Sequence, residues 1–462
     1  MGYTPRRSRT LNQRSFIVII CILLGLLWHT WSNPACDSDF EDGDEEYTEA
    51  PVPVPSPLEE DGALPCSKIP GAKDTVVVIK TGSTEFVDKL PRHLNTTTRC
   101  YPNYLIFSDY EEDYGGQQII DALDSVSPNI RQEHMDFALH RRLKEMGRAA
   151  LAAEELSKVP GDPSAWTGHT DNPGWKLDKW KFLPMVNRTL HEYPDKKWYV
   201  FVEADTYVLW GTLLHWLNTL NSDEPHYHGN QMAISGDLFA HGGSGFVVSH
   251  KAMRMVVDHF HEYHDSIEQF TDIHWAGDCV LGKAFRESGV PFTFSYPVLQ
   301  TDHPGMIPYL TPEGKTTDDP KKRPWCFPAV SYHHLNAEWV EDLWQFEQKW
   351  LEKRHLNDTG FLRHSDMFKE YIIPHMRAPK MDWDNASDQN KMETDNFEDC
   401  RTQCHSDGSC LQYSFRPETK ICKMSYWPKM GMEGDGVRSG WILDRMWNVA
   451  DSMPQCTDEG FL

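Results

Sequence analysis

Long apolar runs are scarce in this sequence. The sustained one, Phe16 to Trp28, is shorter than the roughly 20 apolar residues a membrane-spanning helix takes. Basic charge is also in short supply: 45 Lys and Arg stand against 69 Asp and Glu, a net charge of -24. No basic patch stands out, which excludes a general nucleic-acid binder. No grouping of Cys and His has zinc-site spacing, and no small-x-small cleavage site follows the apolar run. What remains is a chain with 39% apolar and 12% aromatic residues, which argues for packed cores rather than disorder.

The amino terminus has the order of a membrane signal. Arg6, Arg7, Arg9 and Arg14 precede the apolar run, and Ser15 with His29 to Trp31 can lengthen it. Positive charge ahead of the span favours a cytosolic tail over residues 1–14 and an uncleaved signal anchor over 15–31; a cleaved signal peptide is the alternative. Residues 32–70 read as a stem. Eleven acids and no Lys or Arg lie between Asp37 and Asp61, and Pro51-Val-Pro-Val-Pro-Ser-Pro57 follows the first acids. Like charges and alternating prolines keep such a segment extended. Four acceptor patterns for N-glycosylation, at Asn95, Asn187, Asn357 and Asn385, and ten cysteines beyond Cys21 fit the secretory lumen.

The centre of the chain is Lys196 to Trp210. Trp198 to Val202 is an unbroken apolar and aromatic run, the pattern of a strand covered on both faces. It ends in Glu203-Ala-Asp205. Residues two apart on a strand project the same way, so these carboxylates suit a hard divalent cation that also holds phosphate; spacing alone also allows two solvated acids. Thr75 to Lys80 and Asn103 to Asp109 read as further strands joined by a helix, a βαβ unit with a parallel sheet. Arg131 to Lys158 reads as helical. Gly242, Gly243 and Gly245 permit a sharp turn or a close approach to ligand. Asp278 precedes a short helix expected over Lys283 to Ser288, as an N-cap or a general base. Val330 to Leu335 reads as a short strand with His333 and His334 on opposite faces.

Lys80-Thr81, Phe201-Val-Glu-Ala-Asp-Thr-Tyr207, Gly242-Gly-Ser-Gly-Phe246, Gly277-Asp-Cys-Val-Leu-Gly282 and Ser331-Tyr-His-His334 stand in one order. That series resembles the Fringe-like and core-1-galactosyltransferase-like enzymes, the fungal branch above all. The resemblance implies an α/β chain of the GT-A fold and an inverting β1,3-glycosyltransferase. It implies Mn2+, or another divalent cation, and the diphosphate of a UDP-sugar on Glu203 and Asp205, with His333 as a further ligand. Asp205 is the safer ligand, since the family usually has Asp where Glu203 stands. Asp278 then deprotonates the acceptor, Lys80 and Thr81 lie near the nucleotide, and Gly242, Gly243, Ser244 and Gly245 border the acceptor.

Cys400, Cys404, Cys410 and Cys422, with Gln412-Tyr-Ser-Phe415 between them, resemble a PAN/apple domain, a small α+β module that binds protein or carbohydrate. That pattern implies Cys400 paired with Cys422 and Cys404 with Cys410. A further pair joining the ends of such a domain is absent here or draws Cys456 to a cysteine elsewhere. The expected layout is a GT-A domain over 71–380 and the apple-like domain over 381–462. The expected activity is transfer of a galactose or N-acetylglucosamine type sugar to a glycan or glycoprotein hydroxyl, by a single-pass type II membrane protein of the Golgi or ER. The competing expectation is a catalytically silent, lectin-like scaffold.

Overall fold

The computed structural model describes residues 64–156, 172–310, 324–353, 360–453 and 455–456, all within the unit Ser56–Leu462. The expected tail, signal anchor, most of the stem and the Asn357 acceptor lie outside the described residues. Among the described residues no helix is long and apolar enough to cross a membrane.

The strands of the first domain are β1 (Thr75–Lys80), β2 (Tyr104–Ser108), β3 (Glu112–Tyr114), β4 (Gln117–Asp121), β5 (Trp198–Glu203), β6 (Tyr207–Val208), β7 (Tyr227–Gly229), β8 (Gln231–Ile234), β9 (Asp237–Ala240), β10 (Phe246–Ser249), β11 (Phe292–Phe294) and β12 (Ser331–Tyr332). Eight of them form one mixed sheet in the order β11-β7-β10-β5-β1-β2-β4-β3. β1 is parallel to both β2 and β5, and β10 runs antiparallel beside β5.

The apolar runs seen in the sequence are covered on both faces. Val77, Ile79, Val200 and Val202 enter one core cluster, while Val76, Val78, Tyr199 and Phe201 enter the other. Alternation along each strand divides the run between two layers of helix and loop. Phe201, 1% exposed, stacks on Phe246 with ring centroids 4.8 Å apart; truncation to Ala would cost about 3–5 kcal/mol.

Chain order decides where the site falls. From β1 the chain crosses through the Phe86–Asn95 helix to β2, then returns to the other side of β1 as β5. The strand order therefore reverses between β1 and β5. Ligands bind at such a point, beyond the carboxyl ends of the strands. Lys80 and Glu203, the last residues of these strands, are register partners.

Four expectations for the first domain are corrected. The stem does not extend to 70: Cys66 is disulfide-bonded to Cys100, Leu64 and Cys66 are in the core, and Trp210 donates to the Cys66 carbonyl at 3.0 Å. The helix expected from Arg131 is broken into Pro128–Glu133 and Ala138–Met146, followed by 3-10 turns. His134 takes extended backbone, and Gly147, with φ of +62° and ψ of -153°, ends the second helix in a conformation open to glycine alone. The helix expected from Lys283 starts earlier and spans Gly277–Glu287, with Ala276 at its N-cap, so Asp278 lies in its first turn. The strand before the two histidines stops at Tyr332.

The C-terminal domain is an antiparallel sheet of β13 (Lys380–Asp384), β14 (Asn390–Glu393), β15 (Gln412–Arg416), β16 (Ile421–Ser425) and β17 (Met432–Trp441), in the order β13-β17-β15-β16-β14. The boundary expected between 380 and 381 falls inside β13. The Phe397–Ser406 helix covers one face and carries Cys400 and Cys404 to Cys422 and Cys410. Cys456 does not close this domain; it pairs with Cys326 of the first. Met446 and Ala450 of the Leu443–Ser452 helix share a core cluster with Tyr207, Leu343 and Trp350, so the two domains are packed together. Asn385 is fully buried, and its amide nitrogen donates to the carbonyls of Tyr413 and Gly440. Its acceptor pattern is therefore a structural asparagine, not a glycan site, because the nitrogen that would carry the sugar is used inside the fold. Asn95 is exposed, and Asn187 is half-buried beside His261 at 2.9 Å.

Candidate active site

The site is assembled by the turn after β5. β6 pairs with β12, with Tyr332 opposite Tyr207 and Ser331 opposite Val208. The next residues of the two chains, Asp205 and Thr206 on one side and His333 and His334 on the other, are therefore brought together. The Leu335 N–H donates to the Asp205 carbonyl at 3.0 Å. His334 adopts φ of +60°, which turns it back towards its neighbour, and the two imidazole centroids are 4.0 Å apart. The histidines thus do not point to opposite faces, as a continuous strand would require. Ligand atoms of Asp205, His333 and His334 all lie within 4.8 Å of one another.

His333 Nε2 is 3.1 Å from Asp205 Oδ1 and 3.7 Å from Glu203 Oε2. Burial disfavours the imidazolium, but Asp205 and Glu203 outweigh it and raise the group to about 10. Burial likewise acts against the Asp205 anion, yet Lys89 at 2.9 Å and His333 hold it well below the usual carboxylate range. Glu203 is lowered against its own burial chiefly by Lys80, whose Nζ is 3.2 Å from Oε1. Burial and the neighbouring His333 charge push His334 down to about 4. Glu203 is at the site but outside the three-residue ligand cluster.

These residues fit a divalent cation. Asp205 Oδ1 and His333 Nε2 are both buried without a hydrogen-bond partner, although they approach closely. One carboxylate and two imidazoles are a donor set for a borderline first-row metal. A metal in place of the imidazolium proton would use both atoms.

The glycine turn is shaped by the same cluster. A Cβ on Gly243 would lie 2.1 Å from the His333 ring, and one on Gly242 would lie 2.8 Å from Glu203 Oε1. Gly242 also donates its N–H to Asp278 Oδ2 at 3.1 Å, while Asp278 Oδ1 accepts from Cys279 N–H at 2.9 Å. One turn thus joins the acidic centre to Asp278. Burial raises the Asp278 carboxyl to about 6, with the Glu203 charge adding and the two N–H donors opposing. Ser244 is buried, and Gly245 has φ of +72°.

Lys80 is held by Asp178 at 2.6 Å as well as by Glu203. The neighbouring Thr81 carbonyl accepts from Lys181 at 2.9 Å, and Asp109 accepts from Ser83 N–H at 2.7 Å. Thr81 Oγ1, Ser83 Oγ and Asp109 Oδ2 are buried without a hydrogen-bond partner, Asp109 Oδ2 having only the Lys181 ammonium at 3.6 Å, so polar atoms with unused capacity line the loop after β1. Sequence reasoning missed Lys89, His334, Asp178 and Lys181. The acid ending β2, Asp109, was visible but carried no spacing motif. His334 was hidden because strand alternation sent it away, and its left-handed backbone has no glycine to announce it.

Residues 72–299 match the model of the Fringe-like family, and residues 376–438 match that of the PAN domain. No curated protein matches the chain. With the mixed sheet and the acidic centre at its switch point, the match defines the class: this is a glycosyltransferase of the GT-A type. Residues 72–299 form a Fringe-like domain, and a PAN domain follows. A glycosyltransferase has a donor and an acceptor, and a PAN domain is a module for binding protein or carbohydrate.

Proposed function

We propose that the chain is a divalent-metal-dependent, inverting glycosyltransferase that moves a hexose or N-acetylhexosamine from a UDP-sugar to a glycan hydroxyl, in β1,3 linkage, within the secretory pathway. The observation that carries the reading is the convergence of Asp205, His333 and His334 within 4.8 Å at the ends of β1 and β5, one glycine turn away from Asp278. Asp205, His333 and His334 would hold a divalent cation, Mn2+ being the first to try, which would supply Lewis-acid charge for the departing diphosphate. Lys80 and Thr81 face the nucleotide. Glu203 holds Lys80 and His333 in place rather than coordinating directly.

The Asp278 carboxylate takes the proton of the acceptor hydroxyl as its oxygen forms the bond to the anomeric carbon. The bond from that carbon to the diphosphate oxygen breaks, and UDP leaves. Attack opposite the leaving group inverts the configuration. With a value raised to about 6, Asp278 is ionised at neutral pH and more basic than an exposed aspartate, the tuning that suits a general base. Four disulfides support an oxidising compartment, in keeping with anchorage through residues 15–31 in the Golgi or ER membrane.

Calorimetry of UDP binding with and without Mn2+ tests the metal centre. Affinity should rise with the ion in the native chain and not in Asp205→Ala or His333→Ala. Equal affinities in all cases would remove the metal from the reading.

A further inference from the structure

The face of the PAN sheet turned away from the Phe397–Ser406 helix carries its own constellation. Cys422 and Met424 of β16 and Tyr413 and Phe415 of β15 point into the helix-covered core. Alternation therefore sends Lys423, Ser414 and Arg416 to the opposite face. There Lys391 of β14 is the direct register partner of Lys423. Like charges directly opposite on neighbouring strands are destabilising. Neither lysine has an ion-pair partner among the described residues, and both are exposed, in a chain whose net charge is -24. These lysines border an open cleft of about 200 Å³ together with Arg416, Ser414, Thr419 and Asp384. Three cations thus face one carboxylate, and that carboxylate already accepts the Ala386 N–H at 2.8 Å. Ser414 is 3% exposed, and no described residue bonds its hydroxyl.

We propose that this cleft is a binding site for an anionic saccharide, one bearing sulfate or carboxylate groups. Two facing lysines and an arginine supply charge-assisted donors for the anion, and the hydroxyls of Ser414 and Thr419 suit a polyhydroxylated ring. An extended peptide fits the place poorly. β15 and β16, which carry Ser414, Arg416 and Lys423, are paired on both sides, and the lining has no aromatic side chain, only Ile421 and Val437 as apolar ones, for an anchor side chain. The site is separate from the acidic centre and does not depend on the metal.

The test uses the purified full chain in a membrane-mimetic detergent, titrated with four probes of matched size: a sulfated oligosaccharide, an unsulfated uronate oligosaccharide, a neutral oligosaccharide and poly-glutamate. The first two should bind, with affinity falling as salt rises, and the stronger of them names the anion. Lys391→Ser with Lys423→Ser should lower that affinity at least about tenfold, leave UDP affinity and melting temperature unchanged, and be largely rescued by Lys391→Arg with Lys423→Arg. Equal binding of the neutral sugar, equal binding by the serine double variant, or poly-glutamate as the tighter ligand would each overturn the assignment. A loss of UDP affinity in the native chain would instead count against the transferase reading, not this one.

Discussion

Asp205 Oδ1 and His333 Nε2 stand 3.1 Å apart, although 127 intervening residues separate them in sequence. The pairing of β6 with β12 creates this contact. The turn at Gly243 leaves room for it: a Cβ there would stand 2.1 Å from the His333 ring.

Gly243→Ala should therefore damage the metal centre without touching a ligand. Displacement of a ligand by its supporting groups typically costs 10–100-fold in metal affinity. The expected outcome is a loss of about that size in Mn2+-dependent UDP binding, with a folded far-UV spectrum. Unchanged metal dependence would mean that His333 is not held against this turn.

A second buried acid predicts how stability follows pH. Glu347 accepts from the Tyr207 hydroxyl at 2.6 Å and from Gly211 N–H at 3.1 Å. Burial raises its carboxyl from 4.5 to about 7, and the hydrogen bonds only partly oppose this. A carboxyl raised on folding contributes stability that is fully present below its unfolded value and lost as pH rises through the folded one. Melting temperature should accordingly carry a downward component between pH 4.5 and 7, which Glu347→Gln removes. The shift corresponds to about 3 kcal/mol. A Gln variant with the same pH profile as the native chain would contradict this.

Glycan occupancy is predicted position by position. Asn95 is exposed and should be occupied when the chain is made in a secretory host. Asn385 is buried with both amide hydrogens donated and should be empty. Glycopeptide mass spectrometry reads both, and occupancy at Asn385 in folded material would refute the buried assignment.

Much of this was legible in the sequence where the physics is local. The double-sided burial of Trp198 to Val202 followed from its lack of alternation, and Glu203 and Asp205 could be placed together by strand periodicity. The glycines of 242–245 announced a close approach but not its partners, Glu203 and His333, which arrive from distant segments. His334 and Lys89 were out of reach because their roles depend on a left-handed backbone and on a helix docking over β5. Asp278 was found, yet its helix starts six residues before the expected Lys283, since Gly277 and Cys279 gave no signal of the buried first turn. The acceptor pattern at Asn385 was misleading because a tripeptide carries no information on burial.

The account turns on Asp278, and Asp278→Asn tests it most directly. Asparagine keeps the size and one of the two acceptors, so it can serve Gly242 N–H or Cys279 N–H but not both, and it cannot take a proton. A group acting only in the chemical step leaves ground-state binding intact when removed. Sugar transfer should be measured across pH beside melting temperature and UDP-sugar affinity. In the native chain the transfer rate should fall about tenfold per pH unit below about 6, as the raised carboxyl protonates. In the Asn variant, transfer should drop by on the order of 10²-fold or more, with the chain still folded at a melting temperature lowered at most by the one lost N–H bond and donor affinity unchanged. Full transfer by Asp278→Asn, with the acid limb still in place, would contradict the assignment of Asp278 as the base.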